Sequence, residues 1–377
     1  MVEYPPGMAI RAIAAYAPPT VVSNDMVAER LREELERYQH QLGRELTKDE
    51  ADVFKTNDRW IRRYIGFSER RFVEQGEGTI DLAVRASKLL IDLGGIDPAG
   101  FDFIVFATVT PSYLYSPPDV ALLQHLIGIP EEVNGRPHEV GGMVVSLACS
   151  SWVAALRACY ALIRSGQAKR ILLIGADAMS RTINWRDRAF ACVLGDIGTA
   201  TELVAVPNDE DMFGPNYFWG WMGGSKSGII QTPKGGTRNP IETEADLQAY
   251  LHCLAMDGRV VRELMVDFVG KPATQAALEK AGWSFAGLDV AALHEANLVL
   301  NGDITDRWIP QGFGGTVINA GGRFGNPTSG SIPLALALNP DALEVGKRFG
   351  LFGFGGGLTA SFAFGRITLP IRVFTQL

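Results

Sequence analysis

Between Val144 and Ile163 the apolar pattern changes its period. Val144, Val145 and Leu147 suit a buried strand, whereas Trp152, Ala155, Leu156, Cys159, Tyr160 and Ile163 recur at helical spacing. A strand that turns at once into an apolar helix must stack the two in layers, so the run points to an α/β architecture. Cys149 falls at the junction. A thiol there faces the unpaired N–H groups and the positive dipole end of the helix, which favour the thiolate and nominate Cys149 as a nucleophile.

The same alternation runs along the chain. FDFIVFATV (101–109), GGMVVSLA (141–148) and RILLIGA (170–176) read as strands, with helices over 79–93, 119–127 and 151–165. A second series follows: a helix near 256–281, strands at 289–296 and 316–321, a helix at 329–338 and strand-like pieces within 351–369. Strand, polar turn and apolar helix occur in the same order at 144–163 and 316–338, which predicts an internal duplication with its boundary near Pro207. Residues 1–206 then form a half carrying Cys149, and residues 207–377 a second half. Two segments read as additions. Residues 26–58 are charged and helix-prone, and 211–250 hold Phe213, Tyr217, Phe218, Trp219 and Trp221, too many aromatics for a solvated loop.

Composition narrows the partners. Of 377 residues 47% are hydrophobic, ample for a buried core, and the net charge of −7 gives no sign of nucleic acid or an anionic membrane. The four cysteines form no CxxC pair and no Cys/His ligand spacing, so neither a metal site nor a disulfide framework is expected, and a reduced, cytoplasmic setting fits. The opening residues lack the pattern of a signal peptide, and Arg157 interrupts the most apolar run, so no membrane span is expected. Of the five histidines, His40, His125, His138 and His252 read as surface or core residues. His294 stands apart because it ends a strand-like run in LHEAN.

At this point the chain resembles the β-ketoacyl-ACP synthase III-like condensing enzymes of the thiolase superfamily. The resemblance rests on ACSSWVAALRACYALIRSGQAKRILLIGADAMSR around Cys149, LGDIGTATEL (194–203), MDGRVV (256–261), LHEAN, RFGNPTSGSIPLAL around Asn326 and FGFGGGLTASF, in the right order over nearly the whole chain. It implies a thiolase fold of two similar halves in a five-layered αβαβα arrangement, with His294 and Asn326 in the second half. The implied catalytic set is Cys149, His294 and Asn326: the cysteine accepts an acyl group from a thioester, and the other two stabilise the enolate of a malonyl-type partner. FGFGGG fails the phosphate-loop pattern because Leu358 stands where the third glycine belongs. In the resembled family this run supplies a backbone N–H that forms an oxyanion hole with that of Cys149, and Gly355 or Gly356 is the implied donor. Trp60 and Arg188 match residues that sandwich the adenine of coenzyme A.

Three departures stand out. Tyr64 takes a position where an arginine is common, the helix after His294 has Arg307 as its sole basic residue although relatives dock the acidic carrier there, and Glu295 replaces a glutamine. Glu295 either favours a helix start or raises the pKa of His294. The leading reading is an acyltransferase that condenses acyl thioesters in fatty acid or specialised polyketide biosynthesis. Its substrates are acyl-CoA or acyl carrier protein thioesters, with no cofactor or metal. The alternatives are transfer of the acyl group to a hydroxyl or amine, and a catalytically silent partner subunit. Trp219 and Trp221 are expected to line the acyl tunnel. The apolar residues around 101–127 are expected near a homodimer interface and to supply a residue to the neighbour's tunnel.

Overall fold

A computed structural model describes residues 5–214 and 216–377. Two sheets carry the chain. The first runs, edge to edge, Arg372–Gln376, Gly7–Tyr16, Asp196–Val206, Arg170–Ala178, Phe103–Ala107, Gly141–Val145. The second runs Phe218–Met222, Thr359–Arg366, Arg348–Gly355, Val290–Leu293, Thr316–Ile318. Leaving out the last strand of the chain, both sheets have the same plan: from the Gly141–Val145 or Thr316–Ile318 edge, two parallel pairings are followed by two antiparallel ones. The predicted duplication is therefore present in the topology, strand for strand. Strand Asp196–Val206 ends next to Pro207, where the halves were expected to divide. The final strand crosses that boundary and pairs, parallel, with Gly7–Tyr16.

Helices fill the layers that their apolar stripes require. Thr79–Gly94 buries Leu82, Ala83, Ala86 and Leu90 on the outer face of the first sheet. Ser151–Arg164 and Ser331–Leu338 lie between the two sheets, so the second is apolar nearly all round, as a helix enclosed on every side must be. Gly258–Phe268, Thr274–Ala281 and Leu298–Asp306 cover the outer face of the second sheet through Met265, Leu278, Leu300 and Ile304. Five layers result. The charged segment forms helix Asn24–Leu42, capped by Ser23, and the short helix Lys48–Asp52; Val27 and Leu31 pack on Ile61, Ile65 and Trp185. Among the described residues no helix is long and apolar enough to cross a membrane.

The halves touch backbone to backbone beside the site. Asn326 N–H donates to the Val193 carbonyl at 2.8 Å and Gly195 N–H to the Asn326 carbonyl at 3.2 Å. A Cβ on Gly195 would stand 2.0 Å from the Phe324 carbonyl oxygen. Gly195→Ala is accordingly expected to destabilise the protein by about 3 kcal/mol or more. Gly302→Ala, in a helix with open space around the new methyl, is expected to stabilise it by up to about 1 kcal/mol. Denaturant melts of the two variants check the contrast.

Candidate active site

Cys149 sits where strand Gly141–Val145 has ended and helix Ser151–Arg164 is about to start. The turn is held by its own side chains: Ser151 Oγ accepts from Leu147 N–H at 2.7 Å and donates to the Ala148 carbonyl at 2.6 Å, and Ser150 Oγ donates to the Leu147 carbonyl at 2.7 Å. Ala148 is forced to a φ of 49°, a left-handed conformation costing roughly 1–2 kcal/mol for a residue with a Cβ, which aims the following side chain out of the helix start.

Opposite lies the end of strand Arg348–Gly355. A Cβ on Gly355 would fall 2.8 Å from Cys149 Cβ and 3.0 Å from Sγ, so glycine is what lets the strand approach. The backbone N–H groups of Cys149 and Gly356 are directed at the sulfur. Of the two glycines nominated from sequence, Gly356 bears the N–H directed at the sulfur and Gly355 provides the space. The predicted thiolate is not what the resting site holds. Burial pushes the thiol up to about 12, the charge of Asp177 acts the same way, and the two N–H groups offset only part of this. Removal of solvent outweighs the helix start.

His294 follows strand Val290–Leu293, which pairs with Arg348–Gly355, and its ring meets Phe354 edge-on at 5.6 Å. Its surroundings pull the imidazole down to about 3 through burial, with the Thr328 carbonyl acting weakly the other way, so the ring is neutral. Nδ1 lies 2.8 Å from Ser331 Oγ, and that hydroxyl also reaches the Thr328 carbonyl at 2.9 Å. The hydroxyl has one proton. Given to Thr328, it leaves Nδ1 protonated and Nε2 a base; turned to Nδ1, it leaves Nε2–H a donor.

Asn326 precedes helix Ser331–Leu338 as Cys149 precedes its own helix. Its Oδ1 accepts from Thr328 N–H at 2.9 Å, which fixes the amide with its NH2 toward the Ala296 carbonyl, 3.5 Å away. The strand end at Phe354–Gly356 thus touches both Cys149 and His294, and the turn at Asn326–Thr328 touches His294 and Ala296. Cys149, His294 and Asn326 are linked through one strand end and one turn.

Sequence reasoning missed what holds them. Thr328 has a φ of 43°, and its hydroxyl donates to Asp177. The same carboxylate accepts from Ser329 N–H at 2.9 Å, Thr108 Oγ1 at 2.8 Å, Val109 N–H at 2.7 Å, and both N–H and Oγ1 of Thr110. A lone Asp inside the apolar run RILLIGADA was the available signal.

The remaining residues are distributed. Trp219 stacks on Phe362 at 5.1 Å and Trp221 meets Phe268 at 4.2 Å, on one face of the edge strand Phe218–Met222. Both border a cavity of about 310 Å³ with Leu147, Val153, Ala154 and Arg157. The residue of the aromatic segment set against the site itself is Ile230, whose Cβ would lie 3.4 Å from a Cβ on Gly356. Trp60 and Arg188 meet directly, the guanidinium 4.7 Å from the ring centroid. Glu295 does not raise the pKa of His294. Its carboxylate turns away and accepts from Ala320 N–H at 2.6 Å and Gly322 N–H at 3.3 Å.

Paired halves that meet over a cysteine at a strand-to-helix turn are the build of a thiolase-fold enzyme. Residues 144–215 match the family described as 3-Oxoacyl-[acyl-carrier-protein (ACP)] synthase III. The Beta-ketoacyl-[acyl-carrier-protein] synthase III of Streptococcus thermophilus is 32% identical over 359 residues, 93% of this chain and 96% of its own length. That of Natranaerobius thermophilus is 30% identical over 314 residues, 83% of this chain and 92% of its own. A crystal structure of a 3-oxoacyl-(acyl-carrier-protein) synthase III superposes with a TM-score of 0.81 at 25% identity, covering 96% of this chain and 100% of that one. The chain belongs to the β-ketoacyl-[acyl-carrier-protein] synthase III family.

Glu295 carries a pH signature. Burial raises its carboxyl from 4.5 to about 7 against the two N–H donors. Between those values the unfolded chain has given up a proton that the folded one keeps. This group's contribution to stability therefore falls as pH rises from 4.5 to 7 and is flat above. Relative to wild type, Glu295→Gln is expected to gain about 3 kcal/mol over that interval, measured by urea unfolding at a series of pH values.

Proposed function

We propose that the protein condenses two acyl thioesters by way of an acyl-Cys149 intermediate. The observation that carries this reading is the neutral donor set around one half-buried thiol: two backbone N–H groups at the sulfur, an uncharged imidazole and an uncharged amide. In loading, Sγ bonds to the thioester carbonyl carbon and the donor's C–S bond breaks. The N–H groups of Cys149 and Gly356 take the oxyanion, and the thiol proton passes by way of His294 Nε2 to the departing thiolate. In condensation, a malonyl-type thioester loses CO2, its enolate oxygen accepts from His294 Nε2–H and Asn326 Nδ2–H, and its carbon attacks the acyl group, expelling the Cys149 thiolate, which takes a proton from water to restore the thiol. Rotation of the Ser331 hydroxyl accommodates either neutral tautomer, and between the two steps the imidazole proton passes from Nδ1 to Nε2 by exchange with water.

Transfer to an alcohol or amine instead calls for a histidine oriented by a carboxylate. Nδ1 of His294 faces a serine hydroxyl, and Glu295 is engaged elsewhere, which favours condensation. A silent subunit would not need the N–H pair at the sulfur. The acceptor in this reading is borne on an acyl carrier protein, as the names of the relatives imply.

The protein acts as a homodimer through the edge strand Gly141–Val145. Val144 is exposed on it, and Leu114 and Tyr115 nearby are 75% and 73% exposed, apolar surface that a second copy would cover while completing its neighbour's tunnel. Sedimentation at micromolar concentration is expected to give twice the 40.9 kDa chain mass; a monomer would remove this element.

Intact-mass analysis after incubation with acyl thioesters tests the chemistry. Cys149→Ala should form no adduct. Asn326→Ala should still acylate but lose condensation by about 100-fold or more, whereas His294→Ala, which also lacks the base that takes the thiol proton, should be impaired in both steps. Equal loss of acylation in the last two would contradict the division of roles.

A further inference from the structure

Residues 24–57 close as a hairpin onto the segment 182–192. Glu34, fully buried, accepts from Arg186 Nε at 2.9 Å and pairs with Arg37, while the Arg186 guanidinium lies 3.9 Å from the Tyr38 ring centroid and bonds Gln41 at 3.0 Å. Further on, Arg188 N–H donates to the Val53 carbonyl at 3.0 Å. Its guanidinium donates to the Asp52 carbonyl at 2.9 Å and the Lys55 carbonyl at 2.5 Å, with the Asp52 carboxylate at 3.4 Å.

This fastening holds Arg188 against Trp60 at 4.7 Å. Trp60 in turn meets the Tyr64 ring at 5.2 Å, and Arg63 lies over Tyr64 at 5.4 Å. The four side chains form one continuous ladder. A purine held between a guanidinium and an indole needs two van der Waals gaps of about 3.5 Å, roughly 7 Å in all, and the slot is one gap wide. Opening it would require Arg188 to leave the two carbonyls at the end of the short helix Lys48–Asp52. The residue that a nucleotide would recruit is committed to the hairpin.

A second observation bears on what presents the donor. Arg59, Arg63 and Arg323 are exposed, and among the described residues no carboxylate lies within ion-pair distance of any of them, on a chain of net charge −7. The helix Asp58–Tyr64 carries Arg59 and Arg63, and the turn that follows it meets the turn bearing Arg323, since Ser68 N–H donates to the Gly322 carbonyl at 2.8 Å.

The geometry points to a donor recognised without its nucleotide: the hairpin 24–57 is a specificity element that closes the stacking slot between Trp60 and Arg188, and the acyl group arrives on the phosphopantetheine arm of an acidic carrier protein. The inference rests on the acyl-Cys149 reading.

Rates of Cys149 acylation, followed by intact mass, test it with one acyl group on coenzyme A, on pantetheine and on an acyl carrier protein. The coenzyme A and pantetheine thioesters are expected to agree in kcat/KM within about threefold, because a stacked base would be worth about tenfold or more. Arg188→Ala should lower the melting temperature and leave that ratio unchanged. The carrier-borne thioester should exceed both at low salt and lose its advantage as salt rises. A preference of about tenfold or more for coenzyme A that Arg188→Ala or Trp60→Leu erases would overturn the proposal, and so would a carrier-borne thioester no better than pantetheine. Absence of acylation by all three would instead sink the acyl-enzyme reading from which the proposal starts.

Discussion

The buried carboxylate of Asp177 takes its hydrogen bonds from neutral donors alone, and those donors come from both halves of the molecule. Thr108, Val109 and Thr110 belong to the first half, Thr328 and Ser329 to the second. A charge removed from water is costly unless its lone pairs are filled, so the carboxylate draws the two turns together. Thr328 is the residue through which this reaches the chemistry. Its N–H sets the Asn326 amide, its carbonyl faces His294 and Ser331, and its left-handed backbone is held by the bond to Asp177. One anion behind the site thereby orients two neutral groups in front of it.

The same exclusion of solvent determines the protonation of the site. Burial lifts the Cys149 thiol to about 12 and lowers the His294 imidazole to about 3, so the resting pair is uncharged. An uncharged pair does not bind stray anions or react with small electrophiles as a thiolate would. In the proposed reaction, charge develops only once a thioester carbonyl lies beside the N–H groups of Cys149 and Gly356, whose dipoles already point toward the sulfur.

Much of this was legible in the sequence. The change of period at Cys149 located the helix start, and its counterpart at 316–338 revealed the duplication before any topology was known. The strand Gly7–Tyr16, one in from the edge of the first sheet, has no such signal, because an alanine-rich run has little strand propensity and is a strand only by virtue of neighbours on both sides. Glu295 was read for its charge toward His294. Two backbone donors on a turn far along the chain decide its direction instead, and no local pattern reports them. The thiolate was expected from the helix dipole alone, since desolvation has no signature in a string of residues. Trp60 and Arg188 do lie together, but the width of the gap between them depends on the contacts of Arg188 with a distant segment, which no local pattern reports.

The last strand, Arg372–Gln376, lies beside the first, Gly7–Tyr16, in the same direction, and Ala17 N–H bonds the Gln376 carbonyl at 2.9 Å. This has a consequence for the order in which the molecule can assemble. The first sheet gains its sixth strand only after the second half has been synthesised, so the half bearing the nucleophile waits on the ribosome with Gly7–Tyr16 as an open edge. Such a strand invites pairing with another chain during that interval. Duplication gave the fold two similar halves, and this one crossover makes them finish together.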